Sequence, residues 1–204
     1  MRVLRYGERA MLLEVGSHLV ADYLHAIEQL DLPEVADVVP AAETILVRLH
    51  RASAMGSVEF RLQDLEPSAV PAGEQRTITV AARYDGDDLD VVAAETGLTV
   101  DEVIALHCGA RYRVQFCGFS PGYGYLTGLD PLLQLPRRPS PRTRVPRGAI
   151  AIAGPYTAIY PTASPGGWHL LGSTDVTLFD PARYDLGQSP SLLEPGLQVR
   201  FVQS

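Results

Sequence analysis

The sequence predicts an α+β protein in two parts, a small α/β unit over residues 1–70 and a strand-rich unit over residues 76–204. Three observations carry this. The N-terminal periodicities run strand, strand, helix, strand, strand, with a weaker helix after them, which makes a sheet covered by helix on one side. Periodicity then fails over residues 64–75, where Pro67 and Pro71 mark a linker. From Arg111 onward, short apolar runs alternate with Gly/Pro turns at the spacing of a barrel or sandwich.

Each element has a local cause. Residues 2–5 and 10–15 read as strands joined by a turn at Tyr6-Gly7. Ser17 is the expected N-cap of a helix to about Leu30, with Val20, Tyr23, Leu24 and Ile27 on one face, and Pro33 ends it. Strands follow at 35–39 and 44–49, the second alternating Ile45, Val47 and Leu49 with Thr44, Leu46 and Arg48, and a weaker helix covers 54–65. The second part opens with a strand at 77–82 and a turn at Asp85-Gly86. Asp87 or Asp88 caps a helix with Leu89, Val92, Ala93 and Thr96 on one face, and Gly97 closes it. Thr99 to Glu102 spells a capping box. The helix it starts aligns Val100, Val103, Ile104 and His107 and stops at Gly109. Strands are expected at 112–116, 149–153, 157–160, 168–172 and 199–202.

Composition narrows the function. A chain of 204 residues with 46% apolar and 20% charged content can bury a substantial core. Its net charge of −7 argues against nucleic acid, which needs a basic surface. All seventeen basic residues are arginine. A Walker A lysine, a Schiff-base lysine or a biotinylated lysine is therefore excluded, and ATP or carboxybiotin chemistry would need those groups from another chain. Cys108 and Cys117 fit no zinc pattern and read as reduced, half-buried core residues, so no metal is expected. Arg5, Glu8 and Arg9 interrupt any signal-peptide core, and no run of eighteen apolar residues exists, so no membrane contact and a cytoplasmic location are expected.

The chemistry concentrates between Phe116 and Thr174. No acidic residue lies between Asp130 and Asp175, yet Arg137, Arg138, Arg142, Arg144 and Arg147 do. Pro136, Pro139, Pro141 and Pro146 stiffen that loop, which lowers the entropic cost of presenting guanidinium groups to a carboxylate or phosphate. Gly118-Phe-Ser120-Pro121-Gly122 spells GxSxG, but a nucleophile elbow needs a helix and a following N–H, and Pro121 has none. It reads instead as a tight turn presenting Phe119, Tyr123 and Tyr125. His107 is either a core histidine bonded to a strand or a partly buried acid/base. Two glycines at 166 and 167 turn the chain under Trp168, a core anchor or a pocket wall.

GFSPGYGYL (118–126), PRTRVPRGAIAIAG (141–154), IYP (159–161), SPGGWHLLGST (164–174) and LFDP (178–181) together resemble the family of the 5-oxoprolinase B subunit. That family is also labelled allophanate hydrolase subunit 1, carboxyltransferase subdomain C/D, or Kip inhibitor of a sporulation histidine kinase. Gly124 stands where alanine is common, and Ser173-Thr174-Asp175 where Arg-Thr-Pro is frequent. The resemblance implies a small α/β domain followed by a cyclophilin-like β-barrel. It implies one component of an ATP-dependent complex opening 5-oxoproline to glutamate, inactive alone, with a subunit-C-like partner that carries a related barrel, possibly a third subunit, and a small anionic substrate. ATP is expected at the level of the complex. Alternatives are a regulatory inhibitor of a histidine kinase, a carboxyltransferase-type or allophanate-hydrolase-like subunit and, from the fold alone, a prolyl isomerase. With that chemistry, the expected catalytic residues are His107, Tyr123, Arg142, Arg144, Tyr160 and His169. The expected substrate contacts are Phe119, Pro121, Gly122, Gly166, Gly167 and Trp168.

Overall fold

Alternating apolar residues near the N-terminus produce a four-stranded antiparallel sheet. The computed structural model describes residues 1–69 and 76–204, and the chain divides into units Met1–Glu74 and Gln75–Ser204. Residues 70–75 of the expected linker lie outside the described residues.

In the first unit, β1 (Arg2–Arg5), β2 (Ala10–Glu14), β3 (Val35–Pro40) and β4 (Thr44–Leu49) lie in the order β1-β2-β4-β3. Met11, Leu13, Ile45, Val47 and Leu49 share the buried face, which helices α1 (Val20–Gln29) and α2 (Met55–Gln63) cover with Val20, Tyr23, Ile27, Val58 and Leu62. Ser17 does not cap α1. Leu19 occupies the N-cap without a side-chain bond, because a turn closed by the Leu19 N–H on the Gly16 carbonyl precedes the helix.

The second unit is a barrel. Strands β5 (Thr77–Ala82), β6 (Tyr112–Cys117), β7 (Gly124–Thr127), β9 (Ala149–Ala153), β10 (Tyr156–Ile159), β12 (His169–Ser173) and β13 (Gln198–Gln203) run in the order β12-β9-β10-β7-β6-β13-β5. Among the described residues, only the β13–β5 pair of this sheet is parallel. The two ends of the sheet meet where Arg83 and Ser173 exchange N–H···O bonds of 2.9 and 2.7 Å, and the Gly86 and Asp88 N–H groups reach the Leu171 and Leu170 carbonyls. Backbones approach so closely here that only glycine fits. A Cβ on Gly86 would lie 2.3 Å from the Leu170 oxygen, and one on Gly172 would lie 2.0 Å from the Arg83 oxygen.

Helices α3 (Leu89–Thr96) and α4 (Val100–Gly109) add Leu89, Val92, Ala93 and Val103 to the barrel core. Gly97 closes α3 in the left-handed conformation, and Thr99 and Glu102 form the reciprocal capping box of α4. Asp88 sits at the N-cap of α3 but makes no capping bond, because its carboxylate is engaged elsewhere. Cys108 and Cys117 are free and half-buried.

Strand β9 is buried on both faces, and its AIAIA sequence divides the labour. Ile150 and Ile152 fill the barrel, whereas Ala149, Ala151 and Ala153 face outward and leave room for large aromatic rings. Three short strands were not expected from the sequence: β7, β8 (Arg142–Val145) and β11 (Ser164–Gly166), the last two forming a separate pair. Strands β8 (RTRV) and β11 (SPG) are short and rich in arginine, glycine and proline, which strand propensity does not mark, and β7 (GYLT) is only four residues long and opens on a glycine. Trp168 falls just ahead of β12 rather than within it. A one-turn helix, α5 (Ala182–Asp185), precedes β13.

Candidate active site

The GFSPG segment folds as a tight turn into β7, with no helix after it. Ser120 N–H donates to the Gly118 oxygen, Tyr123 N–H to the Ser120 oxygen and Gly118 N–H to the Tyr123 oxygen. Phe119 adopts φ 69°, a strained value for a bulky residue, and is 62% exposed. Gly122 packs on Leu178 and Phe179, and Pro121 is exposed.

The turn feeds a continuous aromatic band on the outer face of the barrel. Tyr123 meets Phe119, Tyr125, Tyr160 and Trp168 edge-on at centroid separations of 5.1, 5.1, 5.3 and 6.1 Å. Phe116 stacks on Tyr125 at 4.3 Å, and Tyr156 stands edge-on to both. The Tyr123 and Tyr160 hydroxyls are hydrogen-bonded to each other. Burial raises the pKa of both phenols above the usual 10, so they are protonated donors at neutral pH. Gly166 abuts the Tyr160 hydroxyl, where a Cβ would lie 2.3 Å away. Between Phe116, Tyr125, Tyr156, Trp168, Pro136 and Arg137 opens a cavity of about 430 Å³.

The five arginines of the loop separate electrostatically. Arg138 and Arg142 both bind Asp88, which is 1% exposed; Arg142 does so through two bonds of 2.7 and 2.9 Å. The Leu170 N–H adds a third kind of donor at 2.8 Å. Burial pushes the Asp88 carboxyl up, but the Arg142 and Leu170 hydrogen bonds and the charges of Arg142 and Arg138 outweigh it and hold it below the carboxylate range. Arg147 donates to Thr177. Arg137 and Arg144 are exposed and have no ion-pair partner among the described residues. Arg137 lines the cavity, and its charge partly offsets the burial of Tyr123, Tyr125 and Tyr160.

Two histidines are buried in the barrel unit, and His107 is held as a neutral ring. His107 is fully buried between Tyr112 and Phe201 in the barrel core. Thr157 donates its hydroxyl proton to the Ala151 oxygen, so it accepts from His107 Nε2–H at 3.0 Å. Nδ1 is left to accept from the Tyr84 hydroxyl at 2.7 Å, and the Cys108 thiol donates to Tyr84 in turn. Burial lowers the His107 pKa to about 3. His169 donates from Nε2 to the Pro136 carbonyl at 3.0 Å, and its Nδ1 is buried without a partner.

The structure therefore brings Phe119, Gly122, Tyr123, Tyr160, Gly166 and Trp168 around one aromatic band. The Gly167 carbonyl accepts from the Arg138 N–H, tying the arginine loop to the same place. His107 lies in the barrel core instead, and Arg142 is committed to Asp88. Arg144 is exposed on β8. Sequence reasoning did not single out Arg137, Phe116, Tyr125 or Tyr156 as site residues. For Tyr125 and Tyr156 the available signal was alternation against the inward Leu126 and Thr157; Phe116 lies two residues from the inward Val114 and turns outward only because the strand is irregular between them, which no alternation marks.

This architecture has close relatives. The family model for the carboxyltransferase domain, subdomain C and D, matches residues 1–191. The 5-oxoprolinase B subunit of Escherichia coli O157:H7 is 39% identical over 96% of this chain and 93% of its own length. The protein of the same name from Bacillus subtilis is 31% identical over 97% of this chain and 90% of its own. Among solved structures, TTHA0988 superimposes with TM-score 0.80 at 36% identity over 96% of this chain, which spans 40% of that one. The urea amidolyase of K. lactis shares the fold at TM-score 0.74 and 18% identity, with this chain covering 15% of it. By sequence and by fold, the chain belongs to the family of the carboxyltransferase domain, subdomain C and D.

Proposed function

We propose that this chain is the B-type component of a 5-oxoprolinase and that the cavity beside Arg137 receives the cyclic acid. The observation that carries this reading is an unpaired guanidinium at the mouth of an aromatic cavity, in a chain 39% identical to a 5-oxoprolinase B subunit. Arg137 offers the fork that pairs with the substrate carboxylate, and Trp168, Tyr125 and Phe116 offer apolar surface to the ring. Tyr123 and Tyr160, protonated and mutually bonded, serve as donors rather than bases. Gly166 lets the chain run against the Tyr160 hydroxyl. Opening the lactam requires its carbonyl to be activated by phosphorylation or polarisation. The lysine-free sequence assigns the P-loop cation for ATP, if one is used, to a partner chain, so this chain acts in a complex and is inactive alone.

The test is co-expression with a subunit-C-like partner and assay of glutamate release. Release that depends on ATP, on 5-oxoproline and on this chain is the expected result. A complete complex that turns over equally well without this chain would overturn the reading.

A further inference from the structure

The loop segment Pro136-Arg137-Arg138-Pro139 is anchored on both sides of Arg137. On one side the Pro136 carbonyl accepts from His169 Nε2–H at 3.0 Å. On the other, the Arg138 N–H donates to the Gly167 carbonyl at 2.8 Å, and the Arg138 guanidinium binds Asp88. His169 and Asp88 are 3% and 1% exposed, so both anchors are fixed inside the protein. Asp88 is itself locked to β12, giving its N–H to the Leu170 carbonyl and accepting the Leu170 N–H. Two guanidiniums share this one carboxylate and the exposed Asp87 lies 3.8 Å from Arg142, so the cluster balances its own charges and adds no net negative charge near Arg137. Arg137, the residue between the anchors, is exposed and lines the cavity that Trp168 also lines.

We propose that His169 and Asp88 are positioning residues, which clamp the backbone around Arg137 so that its guanidinium is held at the cavity mouth for a small carboxylate. Neither touches the substrate. Their role rests on the cavity being the substrate site, but the aim of Arg137 can be measured without turnover. Clamping matters because a loop free to move must be ordered on binding, and a bracketed backbone with flanking prolines lowers that cost beforehand.

Trp168 is the sole tryptophan, so its fluorescence reports this cavity alone. Quenching by iodide, an anion, is compared with quenching by neutral acrylamide in the full chain. Arg137→Ala is expected to lower iodide quenching about two- to fourfold and leave acrylamide quenching in place. His169→Ala is expected to lower it in the same direction, and His169→Gln, whose amide can still donate to Pro136, to restore it. Asp88→Asn also releases the Arg138 and Arg142 charges, so its effect is read from KM alone. In the reconstituted complex His169→Ala and Asp88→Asn are expected to raise KM for 5-oxoproline about three- to tenfold while kcat stays within about twofold. Iodide quenching that falls in Arg137→Ala but stays at the wild-type level in His169→Ala would overturn the clamp and leave the site standing. Iodide quenching unaffected by Arg137→Ala would overturn both.

Discussion

Arg137 and Arg142 belong to one loop and end in opposite electrostatic settings. Arg142 spends its fork on Asp88, whereas Arg137 keeps its own free at the cavity. His107, similarly, is separated from the chemistry by burial. Its folded pKa of about 3 lies below the unfolded 6.5, so the unfolded chain binds the extra proton first as pH falls. The stability its neutral ring contributes is complete above pH 6.5 and is lost as pH drops toward 3. Between pH 6.5 and 5 the barrel unit should lose about 2 kcal/mol from this one group. Urea unfolding followed by Trp168 fluorescence checks this, and His107→Gln, less stable at pH 7, should lose that part of the slope. Phe119 supplies a different residue-scale test. At φ 69° a Cβ is strained, so Phe119→Gly should be about 1 kcal/mol more stable than Phe119→Ala, although both remove the ring. Equal stabilities would show that the turn relaxes.

At the scale of elements, local signals were read from the sequence where local physics decides. The Thr99–Glu102 box, the Gly97 stop and the AIAIA strand each depend on neighbours within a turn or a strand. Ser17 failed as a cap because a preceding turn displaced the helix start by a few residues. Strands β8 and β11 escaped notice because they are held by pairing with each other, not by their own residues. The Asp88–Arg138–Arg142 cluster joins positions about fifty residues apart, and no window of sequence encodes that distance. For this reason Arg142 looked available and Arg137 did not stand out. The barrel closure makes a prediction at this same scale. Gly172→Ala places a methyl 2.0 Å from the Arg83 oxygen, so the Arg83–Ser173 pairing must open. The expected cost is about 3 kcal/mol or more, measured as a drop in the urea midpoint of the barrel unit, with the sheet ends separating there first.

For the molecule as a whole, the stretch without acidic residues gives an acidic protein one arginine-rich loop, of which Asp88 and Asp87 engage Arg138 and Arg142. A net charge of −7 keeps polyanions away in general, while, in the proposed function, an unpaired guanidinium in an aromatic recess has the task of recruiting one small acid. The fold class, the family and the aromatic character of this region were all legible before any coordinates. Which arginine is free at the cavity was not, because it depends on where one buried carboxylate comes to rest. The most direct measurement is the steady-state kinetics of the reconstituted complex carrying Arg137→Ala in this chain. A rise of about tenfold or more in KM for 5-oxoproline, with kcat largely kept, is the predicted result. A KM equal to that of the wild-type complex would place substrate binding elsewhere.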